Sequence, residues 1–92
     1  MIILTVRHRV KDYKTWKREF DKLPPGKGGA VFHRVSRTIE DANDVLVLAG
    51  FKTLSEAQTF VKNPDLKAAM ATAGVEGAPR FEMYEQLEAV GA

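Results

Sequence analysis

Hydrophobic and polar residues alternate at the start of the chain. Ile2, Leu4, Val6, His8 and Val10 fall on one side, and Ile3, Thr5, Arg7 and Arg9 on the other, the period-two pattern of a half-buried strand. From Asp12 the period changes. Tyr13, Trp16, Phe20 and Leu23 recur at helical spacing behind an Asp12 N-cap, so Asp12 to Leu23 reads as an amphipathic helix that Pro24-Pro25-Gly26 stops. Alternation returns over Ala30 to Arg37, with Val31, His33 and Val35 set against Phe32, Arg34 and Ser36.

The second half repeats the scheme. Val45 to Phe51 is apolar on both faces, which requires a central strand covered on both sides. Thr53-Leu54-Ser55-Glu56 has the form of a capping box, in which Thr53 and Glu56 each satisfy an orphaned backbone donor. It opens a helical stretch from Ser55 to Ala73 with Leu54, Ala57, Phe60 and Val61 on its inner stripe. Asn63-Pro64 starts a further helical segment, in which Leu66, Ala69, Met70 and Ala73 pack inward until Gly74. A short glycine- and proline-bearing turn leads to a fourth strand, Arg80 to Leu87, with Phe81, Met83 and Leu87 on one face and Glu82, Tyr84 and Gln86 on the other.

Strand, helix, strand, twice over, is the βαββαβ plan. The fold class expected is α+β and ferredoxin-like: a four-stranded antiparallel sheet with the helices on one face, built as a single domain over 1–92. Such a sheet leaves its second face bare, so a second copy or a ligand must cover it. The doubly apolar third strand makes the same demand. A homodimer through the face bearing Ile3, Thr5, Phe32 and Leu46 or Val47 is therefore expected.

Composition narrows the chemistry. The chain has no cysteine, hence no disulfide frame and no thiolate nucleophile, and this suits a cytoplasmic location. The apolar opening is interrupted by Arg7, His8 and Arg9, too soon for a signal peptide or a bilayer span, so no membrane partner is expected. Charge is uneven, with a balance of +7 up to Arg37 and −5 beyond it. Lys11, Lys14, Lys17, Arg18 and Lys22 fall mostly on the outer face of the first helix and no stacking aromatics interleave with the basic residues, which argues against nucleic acid. Two histidines on different strands without cysteine do not make a zinc site, and there is no nucleophile elbow. The acidic connection Glu40 to Asp44 lacks the ligand pattern of a calcium loop. Neither a cofactor nor a metal is expected.

Val6-Arg7-His8-Arg9-Val10-Lys11-Asp12-Tyr13 with Trp16 and Phe20-Asp21, then Asn43-Asp44-Val45-Leu46-Val47-Leu48 and Phe51, then Asn63-Pro64-Asp65-Leu66, Met70 and Ala73-Gly74-Val75 resemble the dimeric α/β barrel superfamily. Within it the chain is most similar to the small antibiotic biosynthesis monooxygenase-like and cyclase-like proteins. The resemblance covers nearly the whole chain. It implies a homodimer of facing sheets with an apolar pocket in each subunit for a small hydrophobic or aromatic ligand. It also implies a cofactor-independent monooxygenase or a polyketide cyclase as the activity; the alternative is a non-catalytic module that binds a hydrophobic ligand or a partner. The superfamily's haem-degrading members use an asparagine, a tryptophan and a haem-ligating histidine. Asn43 and Asn63 read here as a loop residue and a helix cap, and no histidine follows His33.

Either enzymatic task needs polar groups pointing into the pocket. His8 and His33 are the catalytic candidates, since each titrates near neutrality and lies in phase with the apolar side of its strand. His8 ranks first because it belongs to the family-like stretch; the alternative for each is a structural histidine bonded to backbone. Arg34, Tyr84 and Trp16 are the substrate-binding candidates. Arg34 would steady an oxyanion or form an intersubunit ion pair with Glu82 or Glu85, Tyr84 would hydrogen-bond a substrate oxygen, and Trp16 would line the pocket or serve as core.

Overall fold

The computed structural model describes residues 1–91. Its elements are β1 (Ile2–Val10), α1 (Tyr13–Lys22), β2 (Phe32–Arg37), β3 (Asp44–Phe51), α2 (Leu54–Lys62), α3 (Pro64–Thr72) and β4 (Val75–Glu85), with a 3₁₀ turn over Pro25–Gly28. The four strands form one antiparallel sheet in the order β2-β3-β1-β4, the ferredoxin-like order expected from the βαββαβ reading.

One face of this sheet carries the core. Leu4, Val6 and Val10 of β1 and Val45, Val47, Ala49 and Phe51 of β3 pack against Trp16 of α1, Ala57 of α2 and Ala73, with Phe60, Val61 and Met70 partly buried around them. The opposite face is uncovered. There the register sets Leu46, Leu48 and Gly50 of β3 beside Arg7, Thr5 and Ile3 of β1. Of the two residues left open for this face, Leu46 lies on it and Val47 belongs to the core.

The ends of α1 show why the chain turns where it does. Asp12 Oδ2 accepts from the backbone N–H of Thr15 at 3.0 Å and from its hydroxyl at 2.9 Å, which holds the Asp12 carboxyl below its ordinary range. A second free donor, the Tyr13 N–H, goes to Asn43 Oδ1 at 3.1 Å. The β2–β3 connection thus caps the helix that follows β1. Arg7 grips Asp44 through two hydrogen bonds of 3.1 and 2.9 Å, and Arg9 pairs with Asp41, so the same connection is tied to β1.

The helical stretch divides at Asn63-Pro64 as expected: Asn63 is extended and serves both as C-cap of α2 and as N-cap of α3, with its Oδ1 accepting from Asp65 N–H at 2.9 Å. Three expectations need correction. In the capping box, Thr53 Oγ1 accepts the Glu56 N–H as expected, but the Glu56 carboxylate takes the Thr53 hydroxyl rather than a backbone donor. The stretch from Val75 to Pro79 is strand, not turn: β4 is an edge strand, where a proline removes no needed ladder bond. A bulge with Gly77 at φ +70° absorbs two extra residues, since three stand between Glu76 and Arg80 where β1 has only His8. Leu87, finally, lies beyond β4 and is 87% exposed, so it belongs to neither face.

Candidate functional site

Between the covered face of the sheet and the helices lies a narrow apolar cavity. Leu4, Val6 and His8 of β1 and Val47 and Ala49 of β3 form its base; Trp16, Glu19 and Phe20 of α1, Phe60 of α2 and Met70 of α3 close it. Its free space is about 60 Å³. That holds a few water molecules, so a multi-ring ligand needs the walls to move.

His8 is the polar centre of this cavity. It is 6% exposed, and neither Nδ1 nor Nε2 has a hydrogen-bond partner among the described residues. Burial lowers its pKa, with the charge of Asp44 opposing, so the imidazole is neutral at neutral pH. A neutral imidazole offers one donor and one acceptor. Both are free here. The edge of the ring meets Trp16, with centroids 5.6 Å apart at 65°.

Trp16 is the middle of an aromatic row along α1. Phe20 stacks on it at 4.9 Å and Tyr13 lies 5.8 Å to the other side. The Arg37 guanidinium sits 4.7 Å over the Tyr13 ring, and His33 meets Phe20 edge-on at 5.3 Å. The spacing 13, 16, 20 places these rings on one helical stripe, and Trp16 is both core and cavity wall at 2% exposure.

The five residues singled out from the sequence do not form one constellation. His8 and Trp16 meet in the cavity. His33 is on the same face of the sheet but on the edge strand β2, exposed, with Phe20 between it and the cavity. Arg34 and Tyr84 are on the other face: Arg34 stands 4.7 Å over the Phe32 ring, and Tyr84, 49% exposed, borders a depression lined also by Thr5, Arg7 and Arg80. Strand phase separates them, since 32, 34 and 36 point away from 33, 35 and 37.

One cavity residue escaped the sequence reading. Glu19 is half-buried in the wall, its carboxylate 3.0 Å from Lys22 Nζ. The signal was available: position 19 is three residues beyond Trp16, inside the 16, 20, 23 stripe, where a charged residue is out of pattern. Among the described residues no group of three or more His, Asp or Glu side chains is placed to hold a metal, and no helix is long and apolar enough to cross a membrane.

No family profile matches the sequence. No curated protein matches it by sequence either. Solved structures match it by fold. A Deinococcus radiodurans protein provisionally assigned as an antibiotic biosynthesis monooxygenase superposes with a TM-score of 0.74 at 15% identity, over 100% of this chain and 98% of its own. A Caulobacter crescentus protein with the same provisional assignment gives 0.74 at 19% identity, over 95% and 90%. SnoaB, a cofactor-independent oxygenase from Streptomyces nogalater, gives 0.74 at 11% identity, over 99% and 97%. The fold is that of the antibiotic biosynthesis monooxygenase-like proteins. The expected fold thus holds over essentially the whole chain, while identities this low carry no activity across with it.

Proposed function

We propose that this chain is a cofactor-free enzyme of the monooxygenase or cyclase type, working as a cytoplasmic homodimer on a small aromatic or polyketide-like metabolite. His8 is its proton-handling group. The observation that carries the proposal is the buried imidazole with both nitrogens unpartnered, edge-on to Trp16 in an apolar cavity. Leaving a buried polar group unsatisfied costs about 1–3 kcal/mol. A ligand that fills the cavity and bonds both nitrogens removes that cost.

A neutral imidazole in an apolar cleft is a base for a carbon acid, such as a CH2 group activated by an adjoining carbonyl or ring. His8 takes the proton, and Trp16 and Phe20 offer flat faces to the enolate. In the oxygenase branch the enolate passes an electron to O2 and the two radicals combine as a carbon-bound peroxide. The peroxide is protonated by His8 and loses water, so that CH2 and O2 become C=O and H2O without an external reductant. In the cyclase branch the same enolate attacks a carbonyl of its own chain and no oxygen is consumed. The likeness in fold to SnoaB supports the first branch. Trp16 is the substrate contact in this reading; Arg34 and Tyr84 serve on the sheet face that receives the second copy.

Oxygen uptake and product formation with anthrone-like and poly-ketone compounds test the proposal in wild type, His8→Ala and His33→Ala. We expect His8→Ala to lose on the order of 10² in turnover or more, and His33→Ala to keep wild-type activity because Phe20 separates it from the cavity. Equal activity in all three removes His8 from the chemistry. A second reading, ligand binding without turnover, is favoured by the narrowness of the cavity. Trp16 is the only tryptophan of the chain, so a change in its fluorescence with the same compounds, without consumption of either compound or oxygen, selects that reading.

A further inference from the structure

The inner cavity is too narrow for a multi-ring compound, but it has a larger neighbour. Between α3 and the bulged start of β4 runs an open groove of about 430 Å³, a volume within the range of small-molecule sites. Of the residues lining the two spaces, Leu66 and Met70 alone belong to both. They form one stripe of α3; Lys67 and Ala71, one position on, form the next stripe and line the groove only. The common wall thus includes a methionine, whose unbranched thioether side chain repacks readily. The far bank of the groove is set at the level of His8. β4 pairs Arg80 with Arg7 and Glu76 with Arg9, so the three residues of its bulge, Gly77, Ala78 and Pro79, stand beside His8 in the sheet, and all three line the groove. Bulges are frequent next to active sites, where they bend an edge strand. Here the bulge forms the outer bank of a groove beside the one unpartnered imidazole. Every lining side chain but one is apolar. The exception is Lys67, exposed at the rim and without a carboxylate partner among the described residues.

We propose that groove and cavity are two parts of one site, and that its ligand is an elongated acid whose carboxylate is held by Lys67. The reacting end lies at His8 and Trp16, and the apolar body crosses the wall of Leu66 and Met70 into the groove. The inference rests on the reading of His8 as the proton-handling group and adds the length and the charge of the compound on which it acts. An apolar channel with one cation at its outer end is complementary to a carboxylate at the far end of an apolar body. A neutral compound of the same shape leaves Lys67 unused, and a cationic one is repelled by it.

The test reads binding rather than turnover. Isothermal titration calorimetry compares naphthylhexanoate with its primary amide, which has the same shape without the charge. Held by one exposed lysine, the acid should bind wild type about fivefold more tightly than the amide at low salt. Lys67→Gln should bind the two equally, and Lys67→Glu should invert the preference. Ala71→Phe fills the groove from an exposed position that does not line the inner cavity, and should abolish binding of both compounds. Circular dichroism checks that each variant is folded. Occupation of the inner end is read from the His8 imidazole signals in proton–nitrogen NMR spectra, which should move when the acid is added. Failure of the acid to bind at millimolar concentration overturns the proposal, as does equal affinity for acid and amide in wild type or a preference that survives in Lys67→Gln. Binding through Lys67 that leaves the His8 signals in place also overturns it, because the groove is then a separate site. So does protection of the α3 amides that grows with protein concentration in the absence of ligand, which places a second copy in the groove. Each of these outcomes leaves the preceding reading standing; that reading falls instead if His8→Ala turns over anthrone-like compounds as fast as wild type.

Discussion

The two faces of the sheet handle polarity in opposite ways. On the covered face every position near the centre is apolar except His8, which is buried, neutral and without a partner. On the open face charged and apolar residues stand side by side, and the guanidinium groups find carboxylates or an aromatic ring to rest on. The same strands supply both. What differs is whether water can reach the polar group: exposed pairs contribute little to stability and cost little, whereas one unpartnered imidazole in an apolar wall is a local deficit that must be offset by packing elsewhere. A polar residue on the covered face therefore carries more functional information than several on the open one.

The largest break in this contrast comes from Trp16. Its truncation to alanine removes a 2%-exposed ring that joins β1 to the rest of α1, and we expect a loss of about 3–5 kcal/mol in urea unfolding. A mutant that melts like wild type and only loses ligand binding moves Trp16 from core to cavity lining. Next comes His8→Leu, which replaces the unpartnered imidazole by an apolar side chain. It is expected to raise unfolding stability by about 1–3 kcal/mol while abolishing turnover; a less stable variant means that solvent or a ligand already satisfies His8.

Smaller effects follow from titration. Because the folded His8 pKa lies below its unfolded value of about 6.5, the unfolded chain binds more protons below that pH. Stability therefore holds above about pH 6.5 and falls as the pH drops toward the folded value. His8→Leu should remove that portion of the acid slope, as thermal melts between pH 4 and 7 in steps of about half a unit can show. The slightest change is expected on the open side. Asp44 is held below the ordinary carboxylate range by its hydrogen bonds from Arg7, and Asp41 by the Asn43 N–H and by Arg9, so their contribution is present above that range and lost as the pH falls through it. Asp44→Asn should lower the midpoint of thermal unfolding less than any core variant, and a larger drop than Trp16→Ala causes would show that the latch between β1 and the β2–β3 connection governs the fold.

The legible part of this architecture was the part written in period. β1 was readable to the residue because Ile2 to Val10 alternates without a break, and α1 because Asp12 caps it and prolines follow it. β4 was shortened because Gly74, Gly77 and Pro79 carry the chemistry of a turn, and only pairing with β1 makes an edge strand of them. The site was half legible. Phase put His8 and His33 on the covered face, but phase says nothing of how far a strand lies from the sheet's edge, and that distance separates a buried imidazole on β1 from an exposed one on β2. Nor could it tell that Arg34 and Tyr84 belong to the face opposite His8, a matter of which side the helices cover.

Asn63, which ends one helix and begins the next, has a consequence for the speed with which anything enters the cavity. α3, which supplies Leu66, Ala69 and Met70 to the wall, contains no buried residue and joins α2 through that single extended position. Segments with little burial open at a lower free energy than the domain as a whole. Ligand entry should thus be timed by excursions of α3 about Asn63, with its amides exchanging hydrogen well before those of β1 and β3; uniform protection across all three would place the entrance elsewhere.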